Sequence, residues 1–189
     1  CPMFYPSGGF IVPDPESTKF LIHISVSPLP PPDGFSACST QFRRPSREMA
    51  PTEAKASCLY PNVARGLSEA NSKGFDTAVV LDPNGNVAEF SYTNLFMVKD
   101  GVIHTPKING TFLNGITRQR TIALLRNNGY EVLERAISYN ELFDANELFG
   151  TGNYAKLSPC IQIEDQNFLP GPIYSRAREL YIEFTIDCG

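Results

Sequence analysis

Residues 75–106 read FDTAVVLDPNGNVAEFSYTNLFMVKDGVIHTP, and strands joined by tight turns are legible in them. FDTAVVL is apolar and rich in valine, and it stops at Asp82-Pro83. Asn84-Gly85 suits a short hairpin turn, because both residues tolerate positive φ, and NVAEF then runs back. Residues 94–99 and 102–105 repeat the arrangement about Asp100-Gly101. Strands returning through such short turns are antiparallel neighbours, so this stretch predicts a hairpin-rich sheet.

Outward from it, helix signals alternate with strands. Residues 60–73 predict a helix with Val63, Leu67 and Ala70 on one stripe and Gly74 as its stop. GITRQRTIALLRNNG predicts another, entered at Ile116 or Thr117 and ended by Gly129. The strand YEVLERAI, a short helix at 139–144, the strand NELFG with the loop TGN, and the strand KLSPCIQI follow. A final helix from about Pro172 carries the stripe Ile173, Ala177, Leu180, Tyr181 and Phe184. Ten of the sixteen prolines fall in the first 52 residues. Residues 1–50 therefore form a proline-rich lead-in, expected to pack on a main domain of 51–189. The lead-in holds two strands, 19–26 and 35–42, which proline confines to sheet edges or the starts of elements. The total is an α+β fold.

Composition narrows the function. Hydrophobic residues at 42% and charged residues at 19% of 189 are those of a folded globular chain, not a disordered one. A net charge of -4 without a basic stripe argues against nucleic acid as partner. No apolar run is long enough for a bilayer and no leader is recognisable, so no membrane partner is expected. Five scattered cysteines, without a C-x-x-C pair, predict reduced thiols and a cytoplasmic location. A Cys1–Cys188 disulfide is the alternative to two frayed terminal thiols. Two histidines are too few for a histidine-rich metal centre, so no metal is expected.

Four features could carry chemistry. Ile116 and Thr117 open a helix, where unpaired N–H groups and the helix dipole favour an anion such as phosphate. On local sequence alone the favoured reading of Thr117 is an ordinary N-cap, as most threonines at such a position are. Gly150-Thr151-Gly152-Asn153 could complete the anion cradle, or be a turn that needs glycine. Lys55 becomes a nucleophile if apolar neighbours bury its amine; otherwise it is a solvated surface charge. Glu89 is costly if it faces inward without a cationic partner, and unremarkable if it faces water.

Five segments then occur in a particular order: AKASCLY, the stretch 75–106, FLNGITRQR, ANELFGTGN and KLSPC. In this order they resemble the fold-type IV pyridoxal-phosphate enzymes, and among them the branched-chain amino acid aminotransferases. The resemblance runs from about Pro51 to the final helix. It implies the large C-terminal domain of that fold, a hairpin-rich β pseudobarrel with outer helices, with pyridoxal 5′-phosphate as cofactor. Lys55 matches the lysine that forms the Schiff base and moves the proton between Cα and the cofactor's C4′. Tyr60 matches the tyrosine bonded to the phenolic oxygen, and Glu89 the carboxylate paired with the pyridine nitrogen. Ile116 and Thr117 match the phosphate site at the helix start. Asn153 stands where the family usually has a phosphate-binding threonine. Tyr154 replaces a small alanine in the turn that holds the substrate carboxylate, and Leu59 replaces the asparagine before the tyrosine.

The implied reaction moves the amino group of a branched-chain L-amino acid to 2-oxoglutarate, with amino and 2-oxo acids as partners in a homodimer. A D-amino-acid or (R)-amine transaminase, or aminodeoxychorismate lyase, would share the lysine and the glutamate. Members of the family carry a smaller N-terminal α/β domain before this region, which is absent from these residues. The alternative from another class is therefore a truncated, non-catalytic domain.

Overall fold

Along Asn94–Lys99 (β6), successive side chains enter two different cores: Leu95 and Met97 go to one, Phe96 and Val98 to the other. Strand residues alternate between faces, so an uninterrupted apolar run means a sheet covered on both sides. The computed structural model, which describes residues 2–187, bears this out. Phe35–Arg43 (β3), Thr77–Leu81 (β4), Val87–Phe90 (β5), β6, Val102–Pro106 (β7), Val132–Arg135 (β8), Glu147–Gly152 (β9), Lys156–Ile163 (β10) and Gln166–Asn167 (β11) form one sheet. Its order is β5-β4-β3-β10-β9-β6-β7-β8, with β11 paired to β10. β3 is parallel to β4 and β10, and β7 to β8, while the other pairs are antiparallel. At one end the Val87 N–H donates to the carbonyl of Ile137, just beyond β8, at 2.8 Å. The two ends of the sheet therefore meet, and the sheet curls into the expected hairpin-rich pseudobarrel. The turn at Asp100-Gly101 has positive φ at both residues, 50° and 81°, as that kind of hairpin demands.

Inside the curl lie Val79, Phe90, Leu95, Met97 and Leu148, with Leu142 from the 3-10 helix Tyr139–Asp144. Three helices lie outside. Tyr60–Ser72 (α1) lays Ala70 on Cys38, Ala78 and Val80. Ile116–Asn127 (α2) and Pro172–Asp187 (α3) pack on Phe96, Val98 and Phe149. The start of α3 is fixed by the buried Glu147, whose carboxylate accepts the N–H groups of Ile173 at 3.1 Å and Tyr174 at 2.7 Å.

The lead-in departs from expectation. Thr18–Ile22 (β2) is the first expected strand, shortened, and pairs with Pro2–Pro6 (β1), which was not anticipated; every residue of this small sheet is exposed. The second expected strand, β3, is not an edge. It lies between β4 and β10, because residues 35–43 contain no proline and every N–H can enter a ladder. Among the described residues, Cys38, Cys58 and Cys160 are free thiols, and no helix is long and apolar enough to cross a membrane. The Cys1–Cys188 pair lies outside the described residues.

Candidate active site

Phe90 enters the inner core, so its neighbour Glu89 faces outward, beside its cross-strand partner Val80. The outer face is not bare there. The start of α1 lies on one side and the start of α2 on the other, and between them is a cavity of about 330 Å³. That is the size of a small-molecule site. Lys55, Tyr60, Glu89, Ile116, Thr117 and Asn153 all contribute to its wall. Tyr154 does not; it is exposed on the β9–β10 turn.

Lys55 sits in a turn just before α1 and is exposed. Of the two readings left open for Lys55, the exposed one holds: the turn sets its amine at the mouth of the cavity. Tyr60, the first residue of α1, is half exposed beside it. Glu89 is only 6% exposed. Burial pushes its carboxyl up to about 7, against the opposing charges of Arg44 and Lys55. Arg44 follows β3, is itself buried, and places its guanidinium 3.3 Å from Glu89 Oε1. Its Nε donates to the Thr111 carbonyl at 3.1 Å. On the other oxygen, Asn94 Nδ2 donates to Glu89 Oε2 at 3.3 Å and to the Leu113 carbonyl at 2.9 Å.

At the opposite wall, the N-cap of α2 is Gly115, with no side-chain cap. Thr117 is thus not the cap. It lies buried in the first turn, where backbone N–H groups have no helical acceptor. Thr151 Oγ1 is buried in the same wall without a hydrogen-bond partner. Asn153 is exposed, and its Oδ1 accepts from Lys156 Nζ at 2.8 Å, which leaves its amide nitrogen as the donor. An amine at the mouth, a buried carboxylate and a cluster of free donors suit one kind of ligand. It has an anionic end, a carbonyl and a basic nitrogen.

The buried carboxylate has a consequence for stability. Between pH 4.5 and 7 the folded chain keeps a proton on Glu89 that the unfolded chain has released. Stability is therefore lost as pH rises through that window, by on the order of 3 kcal/mol. Urea unfolding at pH 4.5 and 7 should show this loss in the wild type and not in Glu89→Gln. Equal pH dependence of the two would contradict it.

Sequence reasoning missed Arg44 and Asn94, and reached Thr151 only as part of the candidate anion loop 150–153. The adjacent arginines 43 and 44 at the end of an apolar strand were the available signal for the first.

Residues 4–163 match the family described as amino-transferase class IV. The chain is 35% identical to a branched-chain-amino-acid aminotransferase of Pseudomonas aeruginosa, over 80% of this chain and 50% of that protein. A crystal structure of an aminotransferase from Brucella abortus bound to the co-factor PLP superimposes with a TM-score of 0.92. It is 46% identical and covers 97% of this chain and 66% of its own. A branched-chain aminotransferase from Thermoproteus uzoniensis, solved with norvaline, gives a TM-score of 0.83 at 31% identity, over 96% of this chain and 62% of its own. This chain spans about half the length of the first curated relatives it matches.

Proposed function

Since this chain belongs to the amino-transferase class IV family, we propose that it is the lysine-bearing part of a pyridoxal-phosphate transaminase. Its reaction is transfer of the amino group of a branched-chain L-amino acid to 2-oxoglutarate. The observation that carries this reading is the convergence of Lys55, Glu89 and the open start of α2 on one cavity. Pyridoxal 5′-phosphate has the three groups this cavity suits: a phosphate, an aldehyde and a pyridine nitrogen. When bound, it supplies an electron sink for the carbanion at the substrate's Cα.

The chain's own groups then have distinct tasks. The amine of Lys55 would hold the cofactor and move the proton at the substrate's Cα. The Tyr60 hydroxyl would donate to the cofactor's phenolic oxygen, and Glu89 would pair with its ring nitrogen. The N–H groups of Ile116 and Thr117, with the Thr117 hydroxyl, would hold its phosphate. The Asn153 amide would add a donor at the second loop, and the adjoining Tyr154 stands outside the cavity wall, on the turn that the family resemblance assigns to the substrate carboxylate. The Thr151 hydroxyl is a further donor already buried in this wall. A homodimer and a cytoplasmic location belong to the same reading, on the family resemblance.

The test is amino transfer by the chain loaded with pyridoxal phosphate. Glutamate should form from L-leucine and 2-oxoglutarate at least about tenfold faster than from D-alanine and 2-oxoglutarate, since the two donors differ by a side-chain pocket and by handedness. Preference for D-alanine would move the chain to the D-amino-acid transaminases. No transfer from either donor would leave a non-catalytic domain.

A further inference from the structure

Glu89 cannot do its task by position alone. A carboxylate buried this deeply takes up a proton unless the surroundings oppose it. Once a ring nitrogen lies against it, a single proton is held between the two. Which atom carries that proton decides whether the ring can withdraw electrons. The groups around Glu89 bear on the choice. Arg44 stands at one oxygen and Asn94 at the other; the amine of Lys55 and the hydroxyls of Tyr60 and Tyr92 lie around the same cavity.

We propose that Arg44, assisted by Asn94, is a positioning residue that favours the ionised form of Glu89 and fixes its orientation, so that in the loaded site the proton resides on the cofactor's ring nitrogen. The geometry is that of a built support. Arg44 is buried, and its Nε is tied to the Thr111 carbonyl, so the guanidinium cannot swing away to solvent. Its charge lies against the carboxylate and favours the arrangement with the negative charge on Glu89 and the positive charge on the ring. Asn94 holds the second oxygen and is itself tied to the Leu113 carbonyl, just before α2. The support of the carboxylate and the start of the phosphate-binding helix are thereby one connected unit. Neither side chain needs to touch the reacting atoms.

The inference rests on pyridoxal phosphate being the ligand, and the experiment separates the two claims. Binding of pyridoxal phosphate, and of an analogue with carbon in place of the ring nitrogen, is titrated by absorbance on the wild type, Arg44→Gln and Arg44→Lys. Arg44→Gln should weaken pyridoxal phosphate about tenfold, the equivalent of one pKa unit. It should leave the analogue unchanged, and Arg44→Lys should recover part of the loss. Equal weakening of both ligands would make Arg44 a structural residue only and overturn the proposal, as would no weakening of either.

Should Arg44→Gln not fold, Glu89→Gln is compared with Glu89→Gln/Arg44→Gln, which leaves no unpaired charge. Removing Arg44 should then cost no further affinity, and an additive loss overturns the proposal. If the wild type binds no pyridoxal phosphate, the functional reading fails. The support is then read in the empty chain by carbon NMR of the Glu89 carboxyl. Its titration should move up by about one unit or more in Arg44→Gln, and an unmoved midpoint overturns the proposal.

Discussion

Gly115→Ala is expected to lower the affinity for pyridoxal phosphate by more than about tenfold and to destabilise the chain by about 1–3 kcal/mol, the usual cost of overpacking. A Cβ on Gly115 would overlap Asn94 Oδ1. Asn94 is buried, and its Nδ2 is held by the Leu113 carbonyl and Glu89, so it has little freedom to yield. Relief therefore comes from turning the asparagine, which releases Glu89 Oε2, or from moving the start of α2, which displaces the N–H groups proposed to receive phosphate. Each route damages the site. Urea unfolding gives the stability change, and absorbance titration gives the affinity. Wild-type affinity in a folded Gly115→Ala variant would show that this approach of helix and strand does not shape the site.

How far the sequence disclosed this arrangement depends on how local each cause is. The hairpins of residues 75–106 are fixed by short apolar runs and by turn dipeptides, both readable within a few residues, and they appear in the structure as β4 to β7. α2 was equally plain, because Gly115 and Gly129 bracket its apolar residues. β3 was misplaced. Its prolines lie on either side of it, and proline density over the whole lead-in masked a segment free to pair on both edges.

The site divides in the same way. Lys55, Tyr60, Glu89, Ile116, Thr117 and Asn153 were singled out by sequence, and one cavity brings them together. That an inward Glu89 requires a cation was evident from the energetic cost of a bare buried charge. That the cation is Arg44 was not, since the pairing is made by the sheet, which sets the end of β3 near β5 across β4. Thr151 was legible as part of the candidate anion loop, but that its hydroxyl is buried and unpartnered is recognised only once its surroundings are known. The exposure of Lys55 likewise depends on the turn that carries it rather than on its apolar neighbours in sequence.

The largest effect is expected at Lys55 itself. Its side chain is exposed and belongs to none of the hydrophobic cores, so Lys55→Ala should leave stability within about 0.5 kcal/mol of the wild type. Amino transfer should nevertheless fall by about a thousandfold or more, because the proposed nucleophile and proton carrier is removed. The most direct measurement is an absorbance spectrum of the chain before and after addition of pyridoxal phosphate. It is followed by borohydride reduction and peptide mass mapping, with Lys55→Ala alongside. The wild type should develop a near-ultraviolet or visible band that borohydride abolishes, and the reduced chain should carry the ligand's mass on the peptide containing Lys55. A folded chain that shows no such band at saturating pyridoxal phosphate, or the same band and mass in Lys55→Ala, would contradict the assignment of this cavity as a pyridoxal-phosphate site.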